Sequence, residues 1–163
     1  MSNEPTTTDS TRAGEGMEAS TNTLKIVRIF KAPRELVFAA WTDPDQLAQW
    51  WGPKELNTPR EKVAVDARVG GTWTATMVMP DGSMEFPTTA KFTRIDPPNG
   101  FEMREEPGDV FPFAVTVSAT FEDVDGGTRM TVEQHFDVES FDFSDSILGW
   151  GSSLEKMHAL LDS

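Results

Sequence analysis

Two histidines, His135 and His158, are the only side chains of this chain whose ordinary titration falls near neutrality, and the 163 residues contain neither cysteine nor tyrosine. Acid–base chemistry through an imidazole therefore has two candidates, while thiol nucleophiles, disulfides and thiolate metal sites have none. His135 alternates with Glu133 and Thr131 opposite a face of Met130, Val132 and Phe136, which predicts a surface position. His158 follows Leu154 by four residues and so flanks an apolar helical stripe. From there it could serve a cavity as proton acceptor or ligand anchor; ordinary packing is the alternative. A two-histidine metal site would need a converging carboxylate, and no spacing in the chain announces one, so neither metal nor cofactor is expected. Arg28 shares a strand face with Leu24, Ile26 and Phe30. An arginine among apolar neighbours must be paired or reach water. It either anchors a ligand carboxylate or forms an ion pair with an acid on an adjacent strand. Arg94 and Arg104 raise the same question more weakly, and Glu102, Glu105 and Glu106 read as a solvated acidic region. The phosphate-binding loop, G-x-S-x-G, HExxH and the dinucleotide fingerprint are all missing, so no specific catalytic constellation stands out.

The aromatic set points to binding. Five Trp and 11 Phe without Tyr supply apolar area with few polar tips to satisfy. Trp41, Trp50 and Trp51 cluster on two short helical segments. Trp73, Met77, Met79, Met84, Phe86 and Phe92 belong to central strands, and Trp150, Leu154 and Met157 to the last helix. Methionine and aromatic side chains reshape around ligands. The candidate ligand-binding set is Arg28, Trp41, Trp50, Trp51, Trp73, Met77, Phe92, Trp150, Leu154, Met157 and His158. Each aromatic taken alone reads first as a core residue, and only the set together weighs toward a pocket.

These residues need elements to position them. Leu24–Lys31 reads as a strand, and Pro33 opens a helix whose face carries Val37, Ala40 and Trp41. Asp43-Pro44-Asp45-Gln46 has the form of a capping box before a second helix bearing Leu47, Trp50 and Trp51. Alternating segments follow: Val63–Asp66, Thr72–Met79, Ser83–Ile95, Phe101–Arg104, Phe113–Glu122 and Thr128–Phe136. Asp81-Gly82 and Asp125-Gly126-Gly127 are hairpin turns, and Pro87 marks a strand edge or bulge. Phe143, Ile147, Trp150, Leu154, Met157 and Leu161 then step by threes and fours, which makes a helix of about five turns. Gly149 and Gly151 interrupt it at a cost of about 1 kcal/mol each, tolerable where backbone packs closely or the helix bends. A one-faced sheet and one amphipathic helix combine by the sheet curling around the helix.

Composition bounds the setting. A formal charge of −13 repels phosphate backbones and anionic lipid, so neither nucleic acid nor membrane insertion is expected. Residues 1–23 are polar, carry −3 of that charge and read as a disordered tail, leaving residues 24–163 as one domain. With no apolar run of transmembrane length and no basic-then-apolar leader, a cytoplasmic location is expected.

The order of elements, with Phe30-Lys31-Ala32-Pro33-Arg34-Glu35-Leu36-Val37-Phe38, Ala40-Trp41-Thr42-Asp43-Pro44, Leu47, Trp50-Trp51, Val69-Gly70-Gly71, Trp73, Ile95-Asp96-Pro97-Pro98, Gly127-Thr128-Arg129-Met130-Thr131 and Gly149-Trp150, resembles the START/Bet v 1-like (SRPBCC) superfamily. More narrowly it resembles the domain family named for the activator of Hsp90 ATPase, over Leu24 to Leu161. The resemblance implies an α+β helix-grip fold. Seven antiparallel strands would curve around a long C-terminal helix, with two short helices and a cavity between sheet and helix. It implies, first, binding of a small hydrophobic or amphipathic ligand. Second comes a cyclase, hydrolase or isomerase acting on an apolar substrate. An Hsp90-directed, chaperone-assisting module comes third, because only 23 polar residues precede the fold where that co-chaperone has a further domain. A monomer or homodimer is expected.

Overall fold

A nine-stranded antiparallel sheet organises the computed structural model, which describes residues 6–7 and 14–162. In chain order the strands are β1 (Thr6–Thr7), β2 (Gly16–Ala19), β3 (Thr23–Phe30), β4 (Val63–Val65), β5 (Thr72–Val78), β6 (Glu85–Asp96), β7 (Gly100–Glu105), β8 (Val115–Val124) and β9 (Gly127–Phe136). Helices α1 (Arg34–Thr42) and α2 (Pro44–Trp50) separate β3 from β4, and α3 (Ser144–Leu161) closes the chain. The spatial order is β1-β2-β3-β9-β8-β7-β6-β5-β4. The seven strands expected are β3 to β9, and β1 and β2 extend the β3 edge.

That extension corrects the reading of residues 1–23 as a tail. Residues 1–5 and 8–13 lie outside the described residues, but Gly16–Ala19 pairs with Leu24–Val27. Met17 is 1% exposed and belongs to the core, so the fold begins at least eight residues before Leu24.

Local chemistry explains the helices. Asp43 Oδ1 accepts a hydrogen bond from Asp45 N at 3.0 Å, and Pro44, which has no N–H to lose, occupies the first turn. Gln46 donates to the Asp43 carboxylate at 3.2 Å, so the expected capping box closes between side chains. On α3 every residue of the apolar stripe from Ile147 to Leu161 is buried. Its glycines are not explained by close packing. A Cβ on Gly149 would meet nothing within 4 Å, and one on Gly151 only Met17 Cε at 3.8 Å.

Around β6 the sheet is irregular. β6 pairs with β7 only from Lys91 onward, with a register shift between Phe92 and Arg94, while residues 85–90 pair with β5 alone. Pro87 sits in that single-sided stretch, where a residue without an N–H is tolerated. The β7–β8 connection is anchored by Phe111 and Phe113, whose rings lie 4.9 and 5.2 Å from that of Phe136.

Candidate functional site

Trp41 is the hub of the interior. Its ring lies 4.9 Å from Trp50, 5.3 Å from Phe101, 6.0 Å from Trp51 and 6.2 Å from Trp150. Four of the five indole N–H groups are spent inside the fold. Trp41 donates to Met130 Sδ, Trp50 to Ala40 O, Trp73 to Trp41 O and Trp150 to Gln134 Oε1. Trp51 is the exception: its Nε1 is buried and meets no acceptor among the described residues.

Beside this cluster a cleft of about 180 Å³ separates the sheet from α3. Met77, Phe86 and Thr88 of β5 and β6 form one wall, and Ser146, Gly149 and Trp150 of α3 the opposite one. Trp51, Gly52 and Pro53 after α2 close one end, and Val110 and Phe111 of the β7–β8 loop the other. Two serines lock the α2 end onto α3. Ser153 Oγ donates to Trp50 O at 2.7 Å and accepts from Gly52 N at 3.2 Å, while Ser152 Oγ accepts from Lys54 N at 2.8 Å. Gly52 has φ +93°, and a Cβ there would lie 2.9 Å from Met77 Sδ, so glycine lets the chain turn and leaves Met77 its place on the wall.

Of the candidate residues, Trp51, Met77 and Trp150 line this cleft. Trp41, Trp50, Trp73, Phe92, Leu154 and Met157 are each at most 1% exposed and pack into the core. Much of the cavity expected from the fold is thus filled by tryptophan.

Arg28 and His158 lie elsewhere. Both are buried, at 5% and 3% exposed, where α3 ends beside β3. His158 Nδ1 is 2.9 Å from Asp162 Oδ2, and its Nε2 is 3.3 Å from Glu15 Oε2, near enough for ion pairing though not aligned as a hydrogen bond. Glu15, whose side chain is fully buried, also accepts from Ile29 N at 2.7 Å, and Asp162 from Lys31 N at 2.9 Å. Arg28 donates to Val27 O at 3.0 Å and Gly16 O at 3.4 Å. Neither residue reaches the cleft; this cluster fastens β2 and the end of α3 to β3. His135 is exposed, as its alternation predicts, with Nδ1 3.0 Å from Thr23 Oγ1.

The cleft residues outside the candidate ligand-binding set include Gln134, Ser146, Gly149 and Phe111. Two had signals. Gln134 falls on the apolar face of β9 between Val132 and Phe136, and Gly149 is a glycine inside a helix at a position where nothing packs against it. The acidic region around Glu105 also needs correction. Glu106 is exposed as expected, but Glu105 belongs to β7, and its burial pushes its carboxyl up to about 7.

A curved antiparallel sheet gripping one long C-terminal helix, with a cleft between them, is the helix-grip architecture of the START/Bet v 1-like superfamily, in which hydrophobic ligands are commonly bound. Within it, the chain belongs to the family of activator of Hsp90 ATPase homolog 1-like proteins, which it matches over residues 31–162. Among solved structures it is similar to a protein of Chromobacterium violaceum (22% identity, 87% of this chain and 98% of that one, TM-score 0.78). It is also similar to one of Mycobacterium smegmatis (26%, 97% and 98%, 0.73) and to an AHSA1-like protein of Aeromonas hydrophila (27%, 84% and 90%, 0.69). No curated protein matches the chain. No helix among the described residues is long and apolar enough to cross a membrane.

Proposed function

We propose that the cleft between α3 and strands β5 and β6 binds a small, mostly apolar molecule of about one aromatic ring that carries a hydrogen-bond acceptor. The reading rests on Trp51, a cleft residue whose indole N–H is buried without an acceptor among the described residues. Leaving such a donor unpaired costs about 1–3 kcal/mol, and a ligand oxygen that meets it as the Trp51 ring turns toward the cleft would recover part of it. Size sets the rest of the reading. A cavity of about 150 Å³ takes benzene, so a cleft of about 180 Å³ suits a substituted ring rather than a lipid chain. Met77, Phe86, Phe111 and Trp150 supply apolar contact, and Met77 adapts to shape.

The experiment compares acetophenone with cumene, which has the same number of heavy atoms and no acceptor, by following the indole N–H resonances of the intact chain. Acetophenone is expected to saturate, to move the Trp51 signal and to bind about fivefold tighter than cumene, the worth of one net hydrogen bond. Equal binding of the two, or no saturable shift of Trp51 or Trp150, would overturn the reading.

A further inference from the structure

A larger cleft lies on the other side of β6. It measures about 580 Å³, within the range of small-molecule sites. Its floor is the outer face of the sheet, where Thr89, Lys91 and Thr93 of β6 are exposed in alternation. The chain from Arg104 to Val110 forms its other side as β7 gives way to the loop, over the stretch where β6 begins to lack a β7 partner.

Lys91 and Arg104 are direct cross-strand partners. Like charges placed opposite one another on a sheet destabilise it. Arg104 is relieved by Glu106, 2.8 Å from its Nε. Lys91 has no carboxylate within ion-pairing distance among the described residues, in a chain with nearly twice as many acids as bases. Two cations thus stand side by side in a cleft whose lining also holds three carboxylates, Glu105, Glu106 and Asp109. Pro87, Pro107 and Val110 give it apolar sides.

We propose that this outer cleft is a second small-molecule site, which takes an organic acid with its carboxylate over the Lys91–Arg104 pair and its apolar body toward Pro107 and Val110. The Arg104–Glu106 pair does not stand in the way, because exposed ion pairs are worth at most about 1 kcal/mol and rearrange readily. The remaining charged groups of the cleft are Glu105 and Asp109. Asp109 is exposed and solvated. Glu105 is half-buried and titrates near 7 because burial disfavours its charged form. Below that pH it is neutral; above it, its charge adds to the negative potential around the cleft and opposes an acid. Affinity for an acid therefore falls as the pH rises through 7.

The site is tested on the full chain with 2-naphthoate, whose charge is constant from pH 6 to 8, and with neutral 2-naphthamide, by backbone amide shifts. Naphthoate is expected to give saturable shifts at residues 89–93 and 104–109 at pH 6, with the Trp51 and Trp150 indole signals unmoved. The amide and the Lys91→Gln variant should each bind about fivefold more weakly, the equivalent of one exposed charge contact of about 1 kcal/mol. Lys91 is exposed, so that substitution leaves the core alone. Wild-type affinity should fall severalfold from pH 6 to 8, and the fall should disappear in Glu105→Gln. Equal binding of acid and amide, shifts confined to the two indoles, or no saturation at millimolar ligand would each overturn the proposal. The two clefts are read by different resonances, so one assignment can fail while the other stands.

Discussion

Gly149→Ala separates stability from binding at a single atom. Gly149 is the sixth residue of an 18-residue helix, and a Cβ built on it touches nothing within 4 Å. The substitution therefore meets no steric cost. It gains the helix propensity of alanine over glycine, about 1 kcal/mol in a helix interior. For a chain of this size that raises the melting temperature by about 2–4 °C. The new methyl enters a cleft of only about 180 Å³, so the gain comes at the expense of ligand space. Gly149→Leu extends the series: leucine is also a good helix former, and its side chain would occupy much of the cleft. Urea and thermal unfolding should rank both variants above the wild type, while acetophenone titration should show weaker binding for alanine and none for leucine. A less stable Gly149→Ala protein would refute the open geometry around this residue. More stable variants that bind acetophenone unchanged would refute the cleft as ligand space.

Met17→Ala removes a side chain that is 1% exposed and is expected to cost about 2–5 kcal/mol in urea unfolding; a loss below about 0.5 kcal/mol would mean that β2 contributes nothing to the folded state. Glu105 adds a pH dependence to stability. Its carboxyl titrates at about 7 in the folded protein against an ordinary 4.5, so between those limits the folded chain holds a proton that the unfolded chain has released. Its contribution is full below 4.5 and is lost as the pH rises through 7, on the order of 1 kcal/mol after solvent screening is allowed for. Glu105→Gln should flatten that part of the pH profile, and an unchanged slope would place the titration on another group.

Periodicity carried most of the architecture. The alternation of Leu24, Ile26, Arg28 and Phe30, and the stepping of Ile147 through Leu161, are direct images of faces that must be buried, and each turned out buried. β2 was hidden because its evidence is non-local. Met17 is one large apolar residue in a tract of Ser, Thr and Glu, and it becomes a core residue only because the β3 edge lies beside it. Arg28 was legible as a buried arginine. That its neighbourhood is the start of the chain and the end of α3 was not, because no local pattern ties Glu15 to His158 across the whole sequence. The tryptophans show a different limit. Trp41 and Trp51 have the same residue type and similar spacing to the apolar faces, yet one is sealed and the other lines a cleft. That difference is made by the distant elements that pack on each ring, and no local spacing records it.

The contact of one imidazole with Glu15 on one side and Asp162 on the other brings the chain entering β2 and the end of α3 to the same point. In effect the described chain from Glu15 to Asp162 is a ring held shut by side chains instead of by a peptide bond. A short linker joining those ends, with new termini opened in the exposed Asp81–Gly82 turn, would preserve every pairing from β2 to β9. What defines this fold is who neighbours whom in the sheet; the point at which the ring is cut is a free choice.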